Sequence, residues 1–204
     1  MSGETGASPA WDSAKEEQHR LRRNIILEAA AACLNERGYE GTSLSRIANT
    51  LNITNGALYY DFSGKMELAF ECLMAGHART REALVSAENA GETGLDMVER
   101  FVVATVLDAA RSQPWLLSGH PYFLTADYAK QVHEAGSENV THLAKMIEAG
   151  VEDGSIRPSE PTTTALLVLG SLHTLQSSSP FSVVPIDEEI AEIARNHVRQ
   201  SLAA

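Results

Sequence analysis

Residues 42–65, TSLSRIANTLNITNGALYYDFSGK, contain two short helical patterns with a turn signal between them. In the first pattern the apolar residues fall at the spacing of one helix face, at Leu44, Ile47, Ala48 and Leu51. Asn52 follows at the end of this helix, and asparagine tolerates the left-handed backbone conformation that a sharp turn needs. Thr54 then offers a side-chain oxygen that can cap a second helix.

The second helix has an inward and an outward face. Leu58 and Phe62 lie four residues apart and can share the inward face. The side chains left to face elsewhere are Asn55, Gly56, Ala57, Tyr59 and Tyr60. This layout is that of a helix-turn-helix, whose second helix enters the major groove of DNA. About eight residues at roughly 1.5 Å each give a helix of about 12 Å, close to the groove width of about 12 Å.

The charge distribution permits DNA binding by this stretch, although the chain as a whole is acidic. The formal net charge of −11 by itself argues against a nucleic-acid-binding protein. Residues 15–65 hold seven Lys and Arg against six Asp and Glu, whereas residues 66–204 hold nine against nineteen. The negative charge therefore lies away from the candidate DNA-reading part, whose own net charge of +1 is a weak electrostatic footprint.

The remaining sequence predicts an all-α protein of about nine helices. Gly38 ends a first helix over residues 16–37, and a tail over residues 1–14 is small, polar and interpreted as disordered. Gly136 indicates a kink or a second helix start. Further helical patterns cover residues 65–87, 95–111, 125–153, 162–177 and 187–202, with a short helix expected within 113–123.

Several classes of protein do not fit this sequence. Cys33 and Cys72 lie in helical patterns and are interpreted as buried free thiols. No apolar run approaches the roughly 20 residues of a membrane span, so we expect a cytoplasmic protein without membrane contact. Glu92, Asp96 and Glu99 are close in sequence, but no nucleophile or phosphate-binding loop lies near them. We interpret these three carboxylates as a solvated face and do not expect an enzyme.

The N-terminal part resembles the DNA-binding domain of the TetR family of bacterial repressors. The matching residues are Ile26-Leu27-Glu28-Ala29-Ala30, Arg37-Gly38-Tyr39, Thr42-Ser43, Ile47-Ala48, Gly56-Ala57-Leu58-Tyr59, Phe62, Lys65 and Leu68. The resemblance implies a DNA-binding domain over residues 15–64 and a ligand-binding and dimerisation domain over residues 65–204. It also implies a homodimer formed through the last two helices, and a small-molecule effector that binds among helices four to eight and releases the DNA.

The resemblance further implies which residues contact DNA. The Thr42 hydroxyl and the first amides of the second helix are expected to face a phosphate, and Ser45 and Arg46 a base edge or a phosphate. Gly56 and Ala57 would allow close approach and a methyl contact with thymine. The full expected set is Thr42, Ser43, Ser45, Arg46, Thr54, Asn55, Gly56, Ala57, Tyr59, Tyr60 and Lys65.

Some of these positions have a structural interpretation as well. Tyr59 can brace the first and third helices, and Lys65 can be a plain surface lysine. The basic run over residues 15–23 either touches phosphates or forms a solvated helix face. Asn55 stands where many family members have Lys, and Asp61 stands where His is common. A carboxylate near the DNA backbone would repel it, unless Asp61 pairs with a nearby base or turns away.

Aromatic, sulfur-containing and histidine side chains are frequent between residues 95 and 180. A ligand pocket is usually apolar with a few placed polar groups, although the same residue types also build ordinary cores. We expect the pocket to be lined by Phe101, Trp115, Tyr122, Tyr128 and His173. The histidines show no metal-ligand spacing, and neither a metal nor a cofactor is expected.

Two functions stay open at this point. The first is a ligand-responsive transcriptional repressor that binds palindromic, double-stranded operator DNA as a homodimer and is released by a small molecule. The alternative is an all-α small-molecule-binding protein with weak or lost DNA binding, which the acidic balance, Asn55 and Asp61 favour.

Overall fold

The computed structural model describes residues 9–111, 122–176 and 186–204, without the side chains of residues 9–12 and 111. Within these ranges the chain is all-α, as predicted, and forms eight helices. They are α1 (Pro9–Arg37), α2 (Leu44–Thr50), α3 (Asn55–Asp61), α4 (Lys65–Ala90), α5 (Gly94–Arg111), α6 (Ala126–Glu152), α7 (Pro161–Gln176) and α8 (Glu188–Leu202). The short helix expected within 113–123 lies almost entirely outside the described residues.

Two helix predictions are corrected. The first helix begins at Pro9, not at residue 16, so the expected disordered tail is helical from there on. An exposed ion pair between Glu17 and Arg20, three residues apart, supports this first part of α1. Of the two alternatives at Gly136, the second helix start is wrong, because α6 continues through this residue, and the kink stays a prediction. A Cβ atom at Gly136 would lie 3.3 Å from Cε1 of His77, so this glycine allows α4 and α6 to approach each other.

The helices build two hydrophobic cores that share α4. The first core joins α1, α2 and α3 to the first turns of α4, where Leu68 and Cys72 are fully buried. The second core joins the C-terminal half of α4, including Leu84 and Ala87, to α5, α6, α7 and α8. A displacement of α4 would therefore disturb the packing of both cores, because its side chains are close-packed in each of them.

The connector after α6 anchors the beginning of α5. Asp153 Oδ2 accepts a hydrogen bond of 2.8 Å from the Gly94 amide, and Ser155 Oγ accepts one of 3.1 Å from the Leu95 amide. These two bonds satisfy amides that have no partner within α5. Hydrogen bonds from Ser155 and from the Gly94 amide lower the pKa of Asp153. Gly94 is required here because a Cβ atom would lie 2.1 Å from the Gly150 nitrogen.

The interpretation of three carboxylates as a solvated face is wrong for Glu99. Its side chain is buried and accepts two hydrogen bonds from Arg199, at 2.6 and 2.7 Å. Burial of a carboxylate is tolerated when it is paired and hydrogen-bonded in this way. Glu99 thus joins α5 to α8.

The cysteine prediction is confirmed, because Cys33 and Cys72 are both buried and free. Burial, with a smaller effect of the neighbouring Glu71, raises the pKa of the Cys72 thiol to about 12. Across the described residues, we find no helix with the length and apolar character that crossing a lipid bilayer requires.

Candidate nucleic-acid interface and ligand cavity

The helix-turn-helix forms as predicted, because caps and a turn fix its two helices. Ser43 Oγ accepts a hydrogen bond from the Arg46 amide at the start of α2, and Thr54 Oγ1 accepts one from the Ala57 amide at the start of α3. Between the helices, Asn52 has φ of +54°, the left-handed conformation expected of it. The turn is closed by a 3.0 Å hydrogen bond from the Ile53 amide to the Ala48 carbonyl.

The inward face of this unit anchors α3, the recognition helix, to the first core. Ile47, Ala48, Leu58 and Phe62 are at most 2% exposed, as their spacing predicts. They pack with apolar residues of α1, which fixes the angle at which α3 is presented. The orientation of the outward face is therefore set by packing, not by the short helix alone.

The outward face of α3 projects its tyrosines into solvent. Tyr60 is 76% exposed and Tyr59 is 58% exposed, so neither side chain is buried between helices. Asn55 and Gly56 are exposed as well, and Asn55 Nδ2 donates a 2.9 Å hydrogen bond to Ser45 Oγ on α2. The remaining expected contact residues are exposed at Ser43, Ser45, Arg46 and Thr54 and half-buried at Ala57.

Thr42 and Lys65 do not extend outward. The Thr42 side chain is buried, and its hydroxyl donates a 3.0 Å hydrogen bond to the Cys33 carbonyl. Lys65 Nζ donates to the carbonyls of Tyr39 and Thr42, at 2.8 and 3.1 Å, and lies 3.9 Å from the centre of the Tyr39 ring. Both side chains thus donate hydrogen bonds to main-chain carbonyls around the connection from α1 to α2. The expectation that the Thr42 hydroxyl faces a phosphate is corrected by this geometry.

Asp61 turns inward, away from the outer face of α3. Its side chain is completely buried, with Oδ2 3.0 Å from Arg22 Nη2 and Oδ1 3.1 Å from His19 Nε2. The Arg22 contact is an ion pair, and neither contact has the alignment of a regular hydrogen bond. The Asp61 carbonyl also accepts a 3.0 Å hydrogen bond from Arg23, and Arg22 donates to the Ala57 carbonyl at 2.8 Å.

Three residues of the basic run of α1, namely His19, Arg22 and Arg23, therefore brace the recognition helix, an interpretation that the sequence reasoning missed. Arg22 reaches over the Tyr60 ring at 5.7 Å, and Arg23 lies 4.6 Å from the Phe62 ring centre. The signal was present in the spacing, since His19, Arg22 and Arg23 fall on one helix face. The sequence alone does not show that this face of α1 contacts α3.

A cavity of about 660 Å³ lies between α4, α5, α6 and α7. Two of the five residues expected to line a pocket, Phe101 and His173, are in its wall. Tyr128 instead stacks on Phe70 at a centroid distance of 4.0 Å, and Tyr122 is 74% exposed. Trp115 falls outside the described residues. Most of the lining surface is apolar, and its polar members include Asn139, which sequence reasoning overlooked because its neighbours Ser137, Glu138 and Thr141 on α6 are polar as well.

Two of the three histidines in the described lining of the cavity have lowered pKa values. Burial, followed by the nearby Arg81, lowers the pKa of His77. Burial likewise lowers the pKa of His173, which lies at the open rim of the cavity with its side chain still exposed. Among the described residues no cluster of three or more His, Cys, Asp or Glu has the geometry of a metal site.

Exposed apolar side chains outside the lining of this cavity lie on α7 and α8. Leu167 is 70% exposed, Ile193 54% and Leu175 37%. Leu175 and Ile193 also line a groove of about 470 Å³ between the two helices. Exposed apolar residues that are contiguous on a surface indicate an interaction site.

Comparisons with known proteins agree with this geometry. A family model described as "Bacterial regulatory proteins, tetR family" matches residues 26–72, which contain α2, α3 and the start of α4. The HTH-type transcriptional regulator YhgD of Bacillus subtilis is 24% identical over 90% of this chain and 97% of its own. The HTH-type transcriptional repressor AcnR of Corynebacterium diphtheriae is 38% identical, over 41% of either chain.

Solved structures extend the similarity to both cores. The crystal structure of AibR in complex with isovaleryl coenzyme A and operator DNA aligns with a TM-score of 0.72 and 25% identity, covering 86% of this chain and 97% of AibR. The similarity thus covers the helix-turn-helix and the helices around the cavity alike. Residues 26–72 thus form a DNA-binding domain of the TetR family of bacterial regulatory proteins, and over most of its length the chain is similar to transcriptional regulators that bind DNA.

Proposed function

We propose that the protein is a ligand-responsive transcriptional repressor that binds palindromic operator DNA as a homodimer and is released by a small-molecule effector. The observation that carries this proposal is the path of α4. Leu68 and Cys72 of α4 are buried against the helix-turn-helix, and its next residues, including Leu73 and His77, line the 660 Å³ cavity. One rigid helix thus contacts both the DNA-reading unit and the candidate ligand site. The proposal implies that the protein acts in the cytoplasm, on the chromosome.

The proposed DNA contacts come from the outward face of the helix-turn-helix. Side chains of Ser43, Ser45, Arg46, Thr54, Asn55, Tyr59 and Tyr60 are exposed there. Gly56 and Ala57 carry no polar side-chain atoms and would allow close approach of α3 to the bases. Thr42 and Lys65 act in this proposal by holding the start of α2 in place. The domains are proposed to divide near residue 64, with α4 as the shared element.

The proposed dimer forms through α7 and α8, whose exposed leucine and isoleucine side chains have no cover in the described single chain. A homodimer with twofold symmetry presents two copies of α3 to two half-sites, which explains a palindromic operator. An effector that favours one spacing of the two recognition helices weakens DNA binding, and DNA weakens effector binding by the same factor.

The first test measures binding to DNA fragments from the region upstream of the protein's own gene. We expect a gel shift that weakens at least about tenfold between 50 and 200 mM salt, because phosphate contacts release counterions. Tyr60→Phe removes one exposed hydroxyl and should weaken binding about fivefold. Tyr122→Phe is the matched control, because Tyr122 is equally exposed but lies outside the helix-turn-helix. Absence of any shift at low salt would contradict the proposal.

One argument for the alternative function, a ligand-binding protein that has lost DNA binding, does not agree with the structure. It rested partly on a carboxylate at Asp61 repelling the DNA backbone. Because the Asp61 side chain is buried against His19 and Arg22, that negative charge is not displayed on the outer face of α3.

A further inference from the structure

The cavity between α4, α5, α6 and α7 has a wall without formal charge. Its described lining contains no Lys, Arg, Asp or Glu. The two arginines that α4 carries near this cavity, Arg79 and Arg81, are paired with Asp108 and Glu138. A buried ionic group is costly unless an opposite charge and hydrogen bonds accompany it. The described wall therefore suits an uncharged ligand.

Three histidines are in the described lining, of which His133 is exposed, and the two with shifted pKa values, His77 and His173, do not change this conclusion. The pKa of His77 is lowered by burial and by Arg81, and the pKa of His173 is lowered by burial. Both imidazoles are therefore neutral at pH 7, because even an unshifted histidine is mostly neutral at that pH. They can exchange hydrogen bonds with a ligand but offer no fixed positive charge for an anion.

Asn139 supplies a buried polar group in the described wall that could bind a hydrogen-bond donor of a ligand. Its side chain is 3% exposed, and Nδ2 donates a 3.0 Å hydrogen bond to the His77 carbonyl. That bond fixes the orientation of the amide, since a carbonyl only accepts hydrogen bonds. Oδ1 is then turned away from His77 and has no hydrogen-bond partner among the described residues. Buried acceptors are rarely left in this state, so a donor from a bound molecule would complete the site.

Taking the proposed function as its basis, we propose that the effector is an uncharged, mainly apolar small molecule that donates a hydrogen bond to Asn139 Oδ1. The cavity volume of about 660 Å³ lies well within the range of small-molecule sites, roughly 300–1,000 Å³. Alcohols, phenols, secondary amines and amides have the required donor. Carboxylates and phosphate-bearing thioesters carry charges for which the described wall has no partner.

Three aromatic probes that differ by one group each test this directly. N-phenyl-1-naphthylamine is uncharged and has one N–H donor, and its fluorescence rises in apolar surroundings. Its N-methyl derivative lacks the donor, and 1-anilinonaphthalene-8-sulfonate adds a negative charge. Titrated against the full chain, the parent amine should bind about fivefold more tightly than the N-methyl derivative and at least about tenfold more tightly than the sulfonate.

Two variants place the binding in this cavity. Asn139→Leu should weaken the parent amine about fivefold and leave the N-methyl derivative unchanged, whereas a general packing defect would affect both probes equally. Leu169→Trp fills part of the cavity and should abolish binding of every probe. Leu21→Trp makes the same change at an exposed site on α1 and should have no effect.

The wild-type probe series decides the proposal even if a variant fails to fold. Tighter binding of the sulfonate, equal binding of the amine and its N-methyl derivative, or no binding of the amine would each overturn the proposed ligand class. Operator binding is measured separately by gel shift in the absence of probes. A protein that shifts DNA but prefers the sulfonate would keep its proposed function and lose this inference.

Discussion

Asp61 holds the recognition helix through both its side chain and its main chain. The carboxylate meets Arg22 and His19, and the carbonyl meets Arg23, so three residues of one α1 face converge on the end of α3. Arg22 also donates a hydrogen bond to the Ala57 carbonyl. An acidic residue at this position was hard to understand from the sequence, because the sequence does not show that it turns inward.

Replacing Asp61 with asparagine distinguishes an internal brace from a residue that faces DNA. Asp61→Asn keeps the shape but removes the charge that Arg22 and His19 face. Because these partners remain partly exposed to water, we expect a loss of about 1–2 kcal/mol in the free energy of unfolding, measured by urea denaturation. Operator affinity should not increase.

Glu40→Gln is the matched control for this experiment. It removes an exposed carboxylate from the same domain and should change the stability by less than about 0.5 kcal/mol. Unchanged stability of Asp61→Asn together with tighter, less salt-sensitive DNA binding would show that Asp61 faces the DNA backbone after all.

At the scale of helices, local sequence signals determined the helix-turn-helix well. Asn52, Thr54 and the inward apolar residues act within a few positions of each other, so their spacing was enough to predict the turn and the buried face. Contacts between distant segments were missed. Phe123 stacks on Tyr39 at 3.9 Å, with nearly parallel rings, and so joins the segment before α6 to the loop before α2. No spacing in the sequence indicates such a pair.

The Thr54 cap provides a test of how firmly local chemistry places α3. Thr54→Val keeps the branched shape but loses the oxygen that accepts the Ala57 amide, and we expect about 1 kcal/mol less stability by urea denaturation. Because α3 has only seven residues, its first turn should fray and operator binding should weaken in gel shifts. Thr54→Ser retains the oxygen and should behave like the wild type on both measures.

Across the whole molecule, the class of fold and the place of the DNA-reading unit could be predicted, whereas the ligand site could only be placed roughly. Among the aromatic residues proposed for the pocket, Phe101 lines the cavity but Tyr128 packs on Phe70 instead. Both are apolar residues at helical spacing, and only the relative rotation of α4, α5 and α6 decides which one faces a cavity. Glu99 was misjudged for the same reason, since its partner Arg199 lies 100 residues away.

The exposed apolar residues of α7 and α8 allow a direct test of the proposed dimer interface. Leu167 is 70% exposed on α7, and burying it against a second chain would stabilise the dimer by about 1.5–3 kcal/mol per chain. Leu167→Asp would place a carboxylate in that interface, so sedimentation analysis should show a monomer for the variant and a dimer for the wild type.

Val85→Asp, at an exposed apolar site on α4, is the control and should leave the dimer intact. Operator affinity should fall with dimerisation, because one recognition helix reaches only one half-site. If Leu167→Asp stays dimeric and binds DNA normally, the two chains meet through another surface.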